Sequence, residues 1–305
     1  MLDLDDTTIT DAVLGAIPDS ADARSREVVS ALVRHVHDFV REVGLREHEW
    51  AAAVDFLTRT GLLCTPERQE FILLSDVLGV TMLVDAINNR RSRGGSENSV
   101  LGPFFREDRP RLDAGADLSA GQAGTRMHVR ARVVDDAGRP VPGAQVDVWH
   151  SDSAGHYDSD VPGLDGPAMR GLLRTDADGR FSFWSVAPGP YPIPGDGTVG
   201  ELMRVLDRPL MRPAHVHVRI AAPGFGTVTT MLFRGDDPHL ESDPVFGTKR
   251  SLLARFEKHE DGDGPFELVE HVFVLEPAGA GVHEAVLRNV DQGPVRPSVS
   301  VRGDR

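Results

Sequence analysis

The sequence predicts a mainly β protein: a β-sandwich preceded by a small all-α domain. Three observations carry this. From about residue 126 to 290, short alternating segments recur between Gly- and Pro-rich turns, the pattern of a sandwich. From 25 to 90, apolar residues recur with helical spacing. The two regimes meet in "NNRRSRGGSENSVLGPFF", a polar, Gly-rich linker running into a short apolar run. The expected organisation is an N-terminal extension (1–24), a helical dimerisation and linker domain (25–90), a sandwich domain (91–290) and a flexible tail (291–305).

Each element follows from its residues. "SREVVSALVRHVHDFVREV" places Val28, Val29, Leu32, Val33, Val36, Phe39, Val40 and Val43 on one helical face, with His35 and His37 off it. A second helix spans about 46–60, with Trp50, Val54 and Leu57 on one face and Gly61 as its stop. A third opens at Thr65, a plausible N-cap, with Pro66 at the first helical position. Its stripe reads Phe71, Leu74, Leu78, Met82 and then, unexpectedly, Asp85. Three helices are too few for a private core, so their stripes must bury against the sandwich, a second copy, or both. In "MHVRARVV", Met127, Val129, Ala131 and Val133 share a face. "QVDVWH", "RFSFWSV" after the Asp178-Gly179 turn, "HVHVRI", "TVTTMLF" and "EHVFVL" are the further strands.

Composition excludes several classes of function. A chain of 305 residues with 40% apolar and 26% charged residues is ordinary globular material. A net charge of −14 argues against nucleic acid, whose phosphates need a basic surface. Of the 33 basic residues only Lys249 and Lys258 are lysines. The single cysteine, Cys64, permits neither an internal disulfide nor a thiolate metal cage. No run of about 18 apolar residues predicts a membrane span. "MLDLDDTTIT" is acidic and is no signal peptide, so a cytoplasmic protein is expected.

The chemistry concentrates in "RPAHVHVRI". Side chains alternate along a strand, so His215 and His217 share one side while Val216, Val218 and Ile220 share the other. Two imidazoles on one face can grip one metal ion; the alternative is a half-exposed strand with two incidental histidines. The chain has only two tyrosines, Tyr157 in "AGHYDSD" and Tyr191 in "APGPYPIPGDG", both in loops after strands. Either alone reads as a surface ring capping a turn. Together with the histidines they make a coherent ligand set. Two phenolate oxygens favour a hard, highly charged ion, Fe(III) over Zn(II) or Cu(I).

The order "VWHSDSAGHYDSD", "PGPYPIPGDG", "RPAHVHVRIAAPG" resembles the intradiol ring-cleaving dioxygenases of catechol-type substrates. "GGSENSVLGPFF" upstream and "GDDPHLESDPVFGTK" downstream resemble the same family, which covers about 25–290. The resemblance implies one non-haem Fe(III) per subunit on Tyr157, Tyr191, His215 and His217, with solvent hydroxide as a fifth ligand. It implies Tyr191 as the base that takes one proton of a 1,2-diol, hydroxide taking the other. Arg212, which alone reads as a strand-end surface charge, would steady charge developing on the ring. Both atoms of O2 would end in the product.

Among the substrates of this family, "MLVDAIN", "YPIP" and "DPVFG" resemble members that cleave hydroxyquinol (1,2,4-trihydroxybenzene) to 3-hydroxy-cis,cis-muconate or maleylacetate. Met82, Asp85, Gly102, Pro103, Phe104, Ile193, Pro194 and Val245 would then line the pocket beside Arg212. Asp85 would accept a hydrogen bond from the third hydroxyl; its bland reading is a helix-end carboxylate facing water. Catechol and chlorocatechols are the alternative substrates. Met231 stands where catechol-cleaving relatives often carry glutamine. The family also implies a homodimer through the N-terminal helices and a phospholipid at that contact, for which no residue here is specific. "VVDDAGRPVPGAQVDVW" also resembles transthyretin-like sandwich modules that only bind or support. A cupin-like Fe(II) or Zn(II) site of His215, His217 and a carboxylate is a further alternative.

Overall fold

The computed structural model describes residues 3–65, 68–90, 94–161, 163–164 and 166–278. Pro66, residues 279–290 of the sandwich segment and the expected tail (291–305) lie outside these. The chain divides into two compact units, Met1–Arg59 and Thr60–Arg305.

In the first unit, α1 (Ile9–Gly15) lies within the segment read as an extension. The helix α2 (Ala23–Val43) starts where the Asp22 carboxylate accepts from Ser25 N at 2.8 Å, and stops at Gly44, whose φ is +57°. Arg41 fastens α1 to α2, donating to Thr10 Oγ1 at 2.5 Å and to Asp6 O at 2.9 Å. No residue of α2 is buried: Leu32, Val36 and Phe39 of its apolar stripe all stay exposed. The helix α3 (Glu47–Leu62) bears Trp50, Val54 and Leu57, also exposed. It runs through Gly61, which the sequence reading took as its stop.

The third expected helix is two. Its first part, α4 (Glu70–Val77), begins five residues beyond Thr65, whose Oγ1 accepts from Arg68 N and which is not the N-cap. Gly79, at φ +73°, breaks the course, and α5 (Val80–Asn88) follows. Only part of the expected stripe is covered: Leu74 is buried, with Val77 beside it, whereas Phe71 and Leu78 are exposed.

Eleven strands among the described residues build the second unit. In order they are β1 (Arg126–Asp135), β2 (Gln145–His150), β3 (Arg170–Arg174), β4 (Arg180–Val186), β5 (Tyr191–Pro192), β6 (Met211–Arg212), β7 (His215–Ala221), β8 (Val228–Arg234), β9 (Leu253–Ala254), β10 (Glu257–Asp261) and β11 (Gly264–Leu275). A further helix, α6 (Thr198–Val205), lies between β5 and β6. One sheet has the order β10-β11-β1-β4, the other β3-β2-β7-β8-β9, and β5 and β6 form a separate ribbon. Met127, Val129, Ala131 and Val133 of β1 face Val146 and Val148 of β2 and Val216, Val218 and Ile220 of β7 in one core with Phe181, Phe183 and Phe273. The expected alternation of β1 and β7 is therefore what builds the sandwich interior. The exposed edge strand β10, "EKHED", carries charge at every position but His259, which suits an edge that must not pair further.

Candidate active site

Both faces of β7 are buried. The valine and isoleucine face enters the core, and the opposite face holds His215 and His217, 1% and 0% exposed. These two are joined by Tyr157, on the loop after β2, and Tyr191, the first residue of β5, at 1% and 6%. Neither tyrosine is a surface ring. Gly155 permits the approach of their two segments: a β-carbon there would fall 2.6 Å from the Pro190 carbonyl.

The four polar tips meet. Tyr157 Oη lies 3.3 Å from Tyr191 Oη, Tyr191 Oη 3.4 Å from His215 Nε2, and His215 Nε2 3.1 Å from His217 Nε2. Donors about 2.0–2.2 Å from one first-row metal ion, at angles from right to tetrahedral, lie about 2.8–3.6 Å apart. The spacing fits a shared ion. The Pro213 carbonyl, 2.6 Å from His215 Nδ1, takes that proton and leaves the Nε2 lone pair facing the cluster. Burial, with the Arg212 charge, lowers the His215 pKa to about 3, and burial drives His217 well below its ordinary value, so both imidazoles are neutral and ready to ligate. Burial also holds the Tyr157 phenol well above its ordinary pKa, so its ionisation requires a positive charge at the cluster. Among the described residues no three of His, Cys, Asp and Glu come together as a metal site. The groups that stand with the histidine pair are the two phenols.

Aromatic walls fix these donors. Phe104 stacks on Tyr157 with ring centres 3.9 Å apart, and Trp149 stacks on His217 at 4.6 Å. The buried Arg170 guanidinium pairs with Asp158 and donates to Phe104 O at 2.9 Å, tying the Tyr157 loop to the Phe104 segment.

Arg212 ends β6 directly opposite Tyr191 and is 3% exposed, so it is no surface charge. Its Nη1 lies 3.3 Å from Tyr191 Oη. Burial opposes this cation, but facing Tyr191 and Asp243 more than offset it and raise its pKa. Asp243, which the sequence reading did not single out, receives Arg212 Nε at 3.0 Å and Nη2 at 3.3 Å. The same carboxylate accepts Gly247 N at 3.0 Å and Thr248 Oγ1 at 3.3 Å, so it also shapes the turn bearing Val245. An acid opening a D-P-x-x-G turn was the available signal. Met231, paired across from His217, offers its sulfur to Arg212 Nη2 at 3.4 Å.

The expected pocket residues divide. A side chain on Gly102 would begin 3.3 Å from His217 Cε1, and Phe104 abuts Tyr157. Ile193 and Val245 are buried, Met82 and Asp85 half-buried, and Pro103 and Pro194 exposed. Asp85 does not simply face water: Asn89 Nδ2 donates to its Oδ1 at 2.8 Å, and Lys249 Nζ stands 3.6 Å from its Oδ2. Arg208 bonds both Val77 O, at 2.6 Å, and Pro244 O, at 2.9 Å, fastening the end of α4 beside the Val245 turn.

A buried cluster of two phenols and two imidazoles on a sandwich, flanked by a fixed arginine, is the arrangement expected of the ring-cleaving oxygenases that the sequence resembles. Residues 100–277 match the family described as Dioxygenase, and residues 22–95 match Catechol dioxygenase N terminus. The chain belongs to the intradiol dioxygenase family. It is 44% identical over 277 residues to 6-chlorohydroxyquinol 1,2-dioxygenase of Cupriavidus pinatubonensis, covering 91% of this chain and 99% of that one. It is 43% identical over 275 residues to hydroxyquinol 1,2-dioxygenase of a Rhizobium species, covering 87% and 93%. The solved hydroxyquinol 1,2-dioxygenase of Pseudomonas putida superposes with a TM-score of 0.84 at 42% identity, covering 90% of this chain and 99% of that one.

Proposed function

We propose that this chain is a ferric intradiol dioxygenase that opens hydroxyquinol with O2 to 3-hydroxy-cis,cis-muconate, the enol form of maleylacetate. The observation that carries this is the convergence of Tyr157, Tyr191, His215 and His217 at 3.1–3.4 Å, with Arg212 alongside. The four would hold one Fe(III) per subunit, whose Lewis acidity toward the two diol oxygens draws electron density from the ring.

The chain's own residues supply the rest. Tyr191 Oη takes one diol proton, and Arg212 Nη1, already 3.3 Å away, steadies charge at that place. Asp243 holds the guanidinium in this pose. Phe104 and Trp149 keep the donor rings in register and water away. Met82, Gly102, Pro103, Ile193, Pro194 and Val245 form the wall around the substrate ring, and Asp85 accepts from its third hydroxyl. An acceptor largely withdrawn from water discriminates against a ring lacking its partner.

The exposed apolar stripe of α2 supports a homodimer through the N-terminal helices, and a phospholipid would fit an apolar contact of that kind. Among the described residues no helix is long and apolar enough to cross a membrane. A single unpaired cysteine suits a cytoplasmic setting.

The test is metal analysis with a substrate panel of catechol, 4-chlorocatechol and hydroxyquinol. Expected are iron, a visible tyrosinate-to-ferric band, and the largest kcat/KM on hydroxyquinol, with product gaining the mass of one O2. Zinc without visible absorption would overturn the metal assignment, and a preference for catechol would overturn the substrate.

A further inference from the structure

Lys249 is one of two lysines among 33 basic residues, and it stands where three chain segments meet. It directly follows the turn that Asp243 shapes. Its ammonium donates to Asn98 O, on the linker, at 2.6 Å. It faces Asp85 Oδ2, on α5, at 3.6 Å, and Glu97 Oε1 at 3.9 Å. Both charges are largely withdrawn from water, the Lys249 side chain 22% and that of Asp85 15% exposed. Asn89 holds the other oxygen of the same carboxylate at 2.8 Å. Asp85 is thus gripped from two sides, by an amide of its own helix and by a cation from the turn carrying Val245. Each carboxylate oxygen retains a second lone-pair direction for a further donor.

We infer that Lys249 is a specificity-determining positioning residue: it orients the Asp85 carboxylate and supplies its countercharge, so that Asp85 can accept from a hydroxyl on the substrate ring. A compact ammonium suits this role, since it donates to Asn98 O while standing 3.6 and 3.9 Å from two carboxylates, whereas a guanidinium presents its donors in one plane. The inference rests on the reading of Asp85 as the substrate's acceptor. It adds that recognition is shared between a helix and a turn, through a group that does not touch the ring.

The experiment is a double-mutant cycle on the full-length, iron-loaded enzyme, read as the ratio of kcat/KM for hydroxyquinol to that for catechol. D85N lowers the ratio. K249M, which keeps the apolar stem, lowers it about tenfold, as expected of coupled charges in contact. K249Q, which keeps a donor for Asn98 O but no charge, lowers it similarly. In a D85N background K249M has no further effect on the ratio, and the iron band keeps its position throughout. A D85N ratio equal to wild type overturns the Asp85 reading and this inference with it. A D85N loss with K249M and K249Q at the wild-type ratio, or with equal losses on both substrates, overturns this inference alone. Such an outcome would make Lys249 a fastening between the turn and the linker.

Discussion

Asp76→Asn should change how the stability of this protein depends on pH. Asp76 lies on α4, 5% exposed, with Oδ1 unpartnered. Burial raises its pKa from 3.8 to about 6, against a hydrogen bond from Thr81 and the charge of Arg212, while Asp243 adds to the rise. The folded state therefore binds this proton more tightly than the unfolded chain does. Stability is lost as pH climbs from about 4 through 6, and the whole loss is present by about pH 7. A shift of about two units corresponds to about 3 kcal/mol. Asparagine mimics the protonated acid and abolishes this contribution, though an unpaired amide could cost about 1–3 kcal/mol at every pH. The pH slope is thus the diagnostic quantity. Urea unfolding of equally iron-loaded wild type and variant, from pH 4.5 to 8, should show their stability difference moving in the variant's favour by about 2 kcal/mol or more, most of it below pH 7. Curves that run parallel over this range would refute the reasoning, because Asp76 would then carry no raised pKa in the folded state.

Tyr157→Phe should lower iron content and weaken the visible band, and His217→Ala should abolish turnover; full iron and full activity in His217→Ala would contradict the coordination. Asp243→Asn strips the buried Arg212 of its carboxylate and should cost about 3–5 kcal/mol of folding stability, measured by denaturant titration, together with a fall in kcat. A charged residue at Val36, in the exposed stripe of α2, should yield monomers or aggregates in sedimentation, whereas a wild-type chain that is monomeric at micromolar concentration would contradict the dimer.

The sandwich and the donors were legible because both rest on period two. The alternation in β1 and β7 assigns every side chain to a face without knowledge of what lies beyond it, so the histidine pair and its valine counterpart follow from one strand. The tyrosines stood out through scarcity. The break at Gly79 was not legible, because the apolar stripe continues through it and only a left-handed φ reveals the turn. Thr65 imitates a helix N-cap, but its hydroxyl accepts from Arg68 N and the helix starts at Glu70. Asp243 and the pairing of Lys249 were not legible because their partners, Arg212 and Asp85, are remote in sequence; a single chain's local pattern holds no record of a pairing made by the fold. The ribbon of β5 and β6 is too short for periodicity to register, yet it sets Arg212 against Tyr191.

A strand buried on both faces tolerates no slippage. Moving β7 by one residue would drive two imidazoles into the hydrocarbon interior and turn two valines toward the donors, so errors of pairing are rejected by the core itself. The reactive half of the site is consequently as durable as the sandwich. The half proposed above to meet the far side of the substrate ring belongs to different material, a short helix and a turn joined by a few polar contacts. On that assignment, substitutions in the helix and the turn would change which ring is recognised and leave the donor cluster as the sandwich holds it.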